Sequence, residues 1–204
     1  MKPDIPKNLQ TALWITLLLC VCLSAFSVWA GKENAFLLLN TDLGLLGDVF
    51  FRYATYLGDG IMWVPVTLII LIRCRKYWIL AFACIIVSTL IAQLSKNIFF
   101  KGIPRPSLAI TDRHLFHTVS GVELHTMNSF PSGHTTTVFT LFLMACFFVD
   151  KKWILPAGLF CAVSAAYSRV YLAQHFPADL AGGMLAAIIT ILTAILLQKK
   201  WGKN

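Results

Sequence analysis

Two histidines and one aspartate have the types and spacing that nucleophilic attack requires. Asp179 follows His175 by four residues and lies in the first turn of a helix predicted to start near Pro177. Its carboxylate can hold one imidazole nitrogen and leave the other nitrogen free to attack an electrophile. His134 can then protonate the leaving oxygen. These side chains suffice for group transfer through a histidine intermediate, and we expect neither a metal nor another cofactor.

The surrounding residues indicate that the transferred group is an anion. Ser132-Gly133-His134 opens a predicted helix, whose free main-chain NH groups and positive dipole end attract anions. Gly133 lets the anion approach the main chain closely, and the forked guanidinium of arginine suits phosphate oxygens. The pattern therefore predicts a phosphate pocket. Its candidate cations are Lys96 or Lys101, Arg105 and Arg169.

Each of these features also has a purely structural interpretation. His134 alone can be a surface or capping residue, and Arg169 alone can anchor a helix at a membrane interface. His175 and Asp179 can be metal ligands, but no further carboxylate or cysteine lies at suitable spacing to complete a site. The joint arrangement favours a functional site, because three separate stretches supply anion-binding groups. The stretches cover residues 96–106, 130–137 and 168–179.

The composition places this pocket in a membrane protein. Of 204 residues, 58% are hydrophobic and 13% charged, and the mean hydropathy is +0.74. A soluble domain carries about 25% charged residues. The net charge of +8 fits contact with anionic lipid headgroups. We therefore expect a lipid and the bilayer as partners, and no nucleic acid, while the sequence makes no prediction of oligomeric state.

Six apolar segments predict an all-α, six-helix membrane bundle that forms a single domain over residues 1–204. The first segment can also be interpreted as a cleaved signal peptide, although its apolar run is longer than a typical signal core. The stretch over residues 31–57 is predicted to form a helix in the membrane interface. The predicted spans are residues 9–30, 60–74, 77–98, 133–149, 153–172 and 177–197.

The lysines and arginines orient the bundle. Ten of the seventeen lie in four regions that are therefore predicted to be cytoplasmic, and two of these regions are the termini of the chain. These residues are Lys2, Lys7, Arg73, Arg75, Lys76, Lys151, Lys152, Lys199, Lys200 and Lys203. The polar stretches then meet on the outer side. Several of the other seven basic residues, all on or near that side, have no topological reason to be there and are candidates for function. The seven are Lys32, Arg52, Lys96, Lys101, Arg105, Arg113 and Arg169.

The outer loop before the second stretch contains further polar residues. They are His114, His117, Glu123 and His125. These side chains can recognise a substrate headgroup or pack the loop, and the sequence leaves both interpretations open.

Two of the three stretches resemble the signature of the type 2 phosphatidic acid phosphatase superfamily, which also includes the vanadium haloperoxidases. The second stretch matches in Pro131-Ser132-Gly133-His134. The third matches in Ser168-Arg169, five residues, His175, three residues and Asp179. Haloperoxidase activity is disfavoured, because those relatives are soluble and this chain is not.

The first stretch departs from the family pattern. In the family pattern a lysine precedes the Arg105-Pro106 pair with six residues between, and that position is Ile98 here. Lys96, with eight residues between, is assigned the lysine's role, with a local insertion around Gly102. Lys101 is the alternative.

The resemblance implies roles for the site residues. His175 attacks phosphorus, Asp179 orients it and His134 acts as the acid. The phosphoryl oxygens are bound by Lys96, Arg105, Ser132, Gly133 and Arg169. Further candidates are Lys101, Pro106 and Ser168.

The resemblance also implies a metal-independent lipid phosphatase in the bacterial inner membrane, with its site facing the periplasm. Undecaprenyl diphosphate is the first choice of substrate. Phosphatidylglycerophosphate, phosphatidic acid and the phosphates of lipid A are alternatives. A lipid-to-lipid phosphotransferase shares the first half-reaction, and a non-enzymatic lipid transporter or scaffold is a third hypothesis.

Overall fold

The protein is built from helices. The structure, a computed structural model, describes residues 5–202 and contains no strand in that range. Lys2 and Lys203, used above to orient the chain, lie outside the described residues. The helices are α1 (Lys7–Ala30), α2 (Lys32–Leu39), α3 (Gly44–Ala54), α4 (Trp63–Arg73), α5 (Trp78–Leu94), α6 (Pro106–Ala109), α7 (Gly133–Phe148), α8 (Ile154–Tyr171) and α9 (Pro177–Trp201).

Every predicted span is helical, but the helices differ in length. Four helical segments of the described chain are long and apolar enough to cross a bilayer. They are Lys7–Ala30, Arg75–Phe99, Ile154–Tyr171 and Pro177–Trp201. A fifth becomes possible if α2 and Gly44–Gly58, which meet at 116°, form one broken span. The segments Gly60–Arg73 and Gly133–Phe148 are apolar but shorter.

The centre of the bundle is α9, which packs against α1, α5 and α7, while α8 packs against α7. The buried face of α9 includes Ala187, Ile191 and Ala194. Small residues let membrane helices approach closely, and their packing contributes to association within lipid. The end of α5, the start of α7 and the turn between α8 and α9 all meet at one end of the bundle.

The site end is covered by α2, α3 and the long loop between α6 and α7. On α3, Leu45 and Leu46 are 78% and 85% exposed, so part of the surface of this helix is apolar and uncovered. Also on α3, Asp48 accepts a hydrogen bond from Tyr171 at 2.7 Å and lies 2.8 Å from His117 Nε2. These contacts hold the loop between α6 and α7 against α3 and the end of α8.

Candidate active site

The turn that ends α8 joins Arg169 to His175. The helix closes with Ala173 in the left-handed region (φ 53°), and the Ala173 NH donates to the carbonyl of Val170. The main-chain NH groups of Gln174 and His175 both donate to the carbonyl oxygen of Arg169, at 2.8 and 3.0 Å. This is a Schellman motif with alanine where glycine is usual. The turn therefore fixes the position of the histidine relative to the arginine.

The first turn of α9 holds His175 against Asp179. Pro177 takes the first helical position, where its missing NH sacrifices no helical hydrogen bond. Asp179 Oδ2 lies 3.4 Å from His175 Nδ1 and accepts hydrogen bonds from the Phe176 main chain, at 2.9 Å, and the Ser129 hydroxyl. Because Nδ1 faces the carboxylate, the other ring nitrogen, Nε2, stays available; it has no hydrogen-bond partner among the described residues.

Burial keeps His175 in its neutral form. The side chain is 1% exposed. Desolvation lowers the pKa of His175 to about 3, although Asp179 acts in the opposite direction. Neutral imidazole is the form that can act as a nucleophile.

The amino end of α7 is pressed against α9. Ser132 caps α7 by accepting a hydrogen bond from the Thr135 NH at 3.3 Å, and the Ser132 NH donates to the Asp179 carbonyl at 2.9 Å. A Cβ on Gly183 would lie 2.8 Å from both the Ser132 carbonyl oxygen and Thr135 Cβ. On the other side, a Cβ on Gly58 would lie 2.8 Å from the His134 carbonyl oxygen. The two glycines therefore allow the close approach that places the α7 turn in the site.

Arg169 is buried with part of its guanidinium unpaired. Its side chain is 7% exposed, and Nη1 donates to Thr55 Oγ1 at 2.7 Å. Its Nε is buried and has no hydrogen-bond partner among the residues the structure describes. An unpaired buried donor on a charged group costs free energy. A bound anion would satisfy it.

Arg105 reaches the site from the chain between α5 and α6. Its main chain is extended, as expected before Pro106, which begins α6 and is buried. Arg105 Nε donates to the Met127 carbonyl at 2.9 Å, and Nη1 donates to the Gln174 carbonyl at 3.1 Å. Burial lowers the pKa of Arg105, while the carboxylate of Asp179 acts in the opposite direction.

A helical irregularity after α5 contains Lys96, one of the two candidate lysines of the first stretch. After α5 the chain makes a π-helical turn, Ser95–Phe99, which accommodates an extra residue within the helix. A Cβ built on Gly133 would lie 3.7 Å from Lys96 Nζ, so the lysine lies beside the α7 turn. Lys101 is exposed and follows the π turn. The geometry favours Lys96, and Gly102, around which an insertion is predicted, has a φ of +81°.

Ser168 does not face the other site residues through its hydroxyl. The residue is fully buried, and its Oγ donates to the Ala165 carbonyl within α8 at 2.7 Å. Its place in the site is therefore structural packing next to Arg169.

Three residues outside the signature support the site. Gln174 accepts a hydrogen bond from Arg105 Nη1 and donates one to the Glu123 carbonyl. The Ser129 hydroxyl donates to Asp179, and the Thr55 hydroxyl accepts from Arg169. Gln174 has a sequence signal, because it is a polar residue directly before His175. Ser129 and Thr55 have none, since their partners are distant in the chain.

One group of described residues has the ligand types of a metal site. Asp42, Asp48 and His117 each offer one ligand atom, and these atoms lie within 4.8 Å of one another. The group lies where the loop between α6 and α7 is held against α3. Its hydrogen bonds, which include the His117 NH to Asn40 Oδ1 at 2.6 Å, account for its arrangement as packing.

The charges of the pocket suit a doubly charged anion. Lys96 lies within electrostatic range of Arg105, Arg169 and Asp179, so three cations surround one carboxylate. Close packing of like charges in a buried place is unfavourable without a counterion. The arrangement can therefore bind a phosphoryl group beside a neutral imidazole.

Comparison with known proteins agrees with this geometry. A sequence model of the PAP2 superfamily matches residues 76–203, which contain all three stretches. The chain therefore belongs to the PAP2 superfamily. It is also similar to an undecaprenyl-diphosphatase of Sulfolobus acidocaldarius, with 29% identity over 191 residues, covering 88% of each chain.

Two solved structures share the fold. Aquifex aeolicus LpxE matches with a TM-score of 0.70 and 26% identity, covering 81% of this chain and 94% of LpxE. A transmembrane PAP2-type phosphatidylglycerolphosphate phosphatase from Bacillus subtilis matches with a TM-score of 0.60 and 19% identity, covering 95% and 97% of the two chains. Together with the apolar helices, these matches show a multi-pass membrane protein.

Proposed function

We propose that this chain is a lipid phosphatase that hydrolyses undecaprenyl diphosphate through a phosphohistidine. The observation that carries the proposal is the convergence of three cations and the unpaired Arg169 Nε on the buried pair of His175 and Asp179. Membership of the PAP2 superfamily supports the same chemistry.

In the first half-reaction, Nε2 of His175 forms a bond to the terminal phosphorus, and the bond from phosphorus to the bridging oxygen breaks. His134 gives its proton to that oxygen, so the lipid monophosphate leaves. Asp179 holds the Nδ1 proton and stabilises the positive charge that develops on the ring. In the second half-reaction a water attacks phosphorus, His134 takes the proton of the water, and phosphate leaves His175.

The phosphate-binding residues are proposed to stabilise the charge on the three non-bridging oxygens during both steps. Lys96, Arg105 and Arg169 supply positive charge, and the guanidinium Nε of Arg169 supplies a free donor. The Ser132-Gly133 turn supplies the positive end of α7.

The substrate choice rests on the similarity to the undecaprenyl-diphosphatase, which extends over 88% of both chains. Phosphatidylglycerophosphate, phosphatidic acid and lipid A phosphates are the alternatives. A phosphotransferase would share His175 and differ only in the acceptor of the second step.

The membrane arrangement is also proposed: a single domain with six spans, cytoplasmic termini and the site at the outer face of the inner membrane. It is supported by the distribution of lysine and arginine and by the position of the three stretches. The α5 carboxyl end, α7 amino end, α8 carboxyl end and α9 amino end lie together, as expected when consecutive spans alternate in direction.

The test is phosphate release by the purified protein in detergent, with EDTA present, from undecaprenyl diphosphate and the alternative lipids. We expect release to be fastest with undecaprenyl diphosphate and to be lost in His175→Ala. Phosphate that appears only on an acceptor lipid would instead establish the phosphotransferase. Equal activity of wild type and variant would show that His175 is not the nucleophile.

A further inference from the structure

A second polar cavity adjoins the catalytic centre on its outer side. It has a volume of about 300 Å³ and lies between the end of α3 and the loop residues 121–125. His134 and Arg169 form its inner wall, so it opens directly from the proposed position of the leaving oxygen. The sequence signature of the family includes no residue from α3.

Arg52 lies at the mouth of this cavity with a free guanidinium. Asp48, one helical turn earlier, is the natural partner of Arg52, but its carboxylate is bound to Tyr171 and His117. No hydrogen bond or ion pair joins the Arg52 side chain to another described residue. Because Tyr171 and His117 occupy the Asp48 carboxylate, the Arg52 guanidinium stays available to a ligand.

The loop is shaped to admit the Arg52 side chain. Gly121 has φ +75°, a backbone conformation that favours glycine, and a Cβ there would lie 2.6 Å from Arg52 Nη2. The guanidinium thus lies directly against the main chain of the loop. Thr55, one turn after Arg52, accepts the hydrogen bond from Arg169 Nη1. The two arginines therefore flank the same short segment of chain.

The charges that line the cavity favour an anion. Arg52 and Arg169 contribute two permanent positive charges to the lining of the cavity. Glu123 is the one carboxylate among the lining residues, and its side chain is exposed.

We propose that Arg52 binds the second phosphate of a diphosphate substrate, the one that stays on the lipid. This inference rests on the proposed function, in which His134 protonates the bridging oxygen. The phosphate beyond that oxygen must then lie past His134, and the cavity that contains Arg52 is there. The fork of a guanidinium suits two phosphate oxygens. Arg52 would also stabilise the negative charge that develops on the bridging oxygen in the transition state, before the proton of His134 is fully transferred to it.

The first experiment measures binding and does not depend on turnover. The affinity of the detergent-solubilised full chain is determined for methylenediphosphonate, which cannot be hydrolysed, and for inorganic phosphate. We expect the wild type to prefer the diphosphonate, and Arg52→Gln to reduce that preference about tenfold or more, because hydrogen bonds to charged groups are strong. Arg52→Lys should retain part of the preference. Glu123→Gln should increase it.

Arg113→Gln is the matched control, because it removes one positive charge from the same outer loop, and Arg113 does not line the cavity. If Arg113→Gln and Arg52→Gln lost the preference equally, the effect would be a non-specific one of net positive charge, and the proposed subsite would be wrong. An unchanged preference in Arg52→Gln would also overturn it.

Hydrolysis of farnesyl diphosphate by the same proteins separates the two proposals. If the wild type releases phosphate and Arg52→Gln shows the same kcat/KM, the proposed function stands and the subsite is wrong. If the preference for diphosphonate depends on Arg52 but no diphosphate lipid is hydrolysed, the subsite stands and the proposed function is wrong.

Discussion

The main-chain NH of His175 donates to the carbonyl oxygen of Arg169 at 3.0 Å, so one turn of chain carries both the proposed nucleophile and a phosphate-binding arginine. The turn begins where α8 ends and finishes where Pro177 starts α9. Because both helices are packed in the bundle, the distance between the two side chains is set by rigid elements. One Schellman turn thus explains the spacing between Arg169 and His175 in this chain.

Replacing Asp179 by asparagine tests how the imidazole is oriented. Asp179→Asn removes the charge that holds the Nδ1 proton, so we expect kcat to fall by about 10²–10⁴-fold, the range that positioned proton transfer contributes. Ser129→Ala, which removes only the hydroxyl bound to Asp179, should have a much smaller effect. Steady-state kinetics of both variants provide the check. Activity of Asp179→Asn within twofold of wild type would refute the orienting role.

Replacing Thr55 by valine tests the support of Arg169. Thr55→Val leaves Nη1 of a buried guanidinium without its acceptor, which costs about 1–3 kcal/mol. We expect weaker phosphate binding, seen as a KM for the lipid that rises about tenfold. Thr67→Val is the control, because the Thr67 hydroxyl has no partner among the described residues. If the two variants behave alike, the hydrogen bond to Arg169 is unimportant.

Replacing Gly183 by alanine tests the close contact of α7 with α9. The new Cβ would lie 2.8 Å from the Ser132 carbonyl oxygen, and overpacking of this kind costs about 1–3 kcal/mol. We expect a lower melting temperature in detergent and a loss of activity. Gly60→Ala is the matched control, because a Cβ at residue 60 meets nothing within 4 Å. A melting temperature for Gly183→Ala as high as that of the control would contradict this packing.

The stability of the protein should fall in acid because His175 is buried in neutral form. Burial lowers its pKa from 6.5 to about 3. Between these pH values the unfolded chain binds a proton that the folded protein does not. The contribution of neutral His175 to the free energy of unfolding is therefore fully present above pH 6.5 and is lost as the pH falls. The slope is at most about 1.4 kcal/mol per pH unit. Thermal melting of wild type and His175→Gln from pH 7.5 to 4.5 provides the measurement, and parallel curves would rule out this contribution.

The helices and the meeting of the three stretches were predictable because their signals are local. A run of apolar residues predicts a helix wherever it lies, and each predicted span corresponds to a helix whose ends are within a few residues. The alternating direction of the spans then places 96–106, 130–137 and 168–179 on one side. The number of membrane-spanning helices is harder to predict, because α4 and α7 are helical yet shorter than a full span.

The side-chain partners were not predictable because they depend on contacts between distant residues. Lys96 lies beside the α7 turn, within a π turn after α5 for which the sequence has no distinct pattern. Ser168 matches the family signature, but its hydroxyl points to the carbonyl of Ala165. Thr55 binds Arg169, which lies 114 residues later in the chain. This hydrogen bond depends on the packing of α3 on α8, which the sequence does not predict.

The most direct test of the account is identification of the phosphorylated residue during turnover. Wild type, His175→Ala and Asp179→Asn are mixed with undecaprenyl diphosphate labelled in its terminal phosphate, quenched in base to protect a phosphorus–nitrogen bond, and digested for mass spectrometry. The account predicts acid-labile phosphate on His175 in the wild type, none in His175→Ala and little in Asp179→Asn. Label on another residue, or hydrolysis by His175→Ala at the wild-type rate, would contradict the phosphohistidine mechanism.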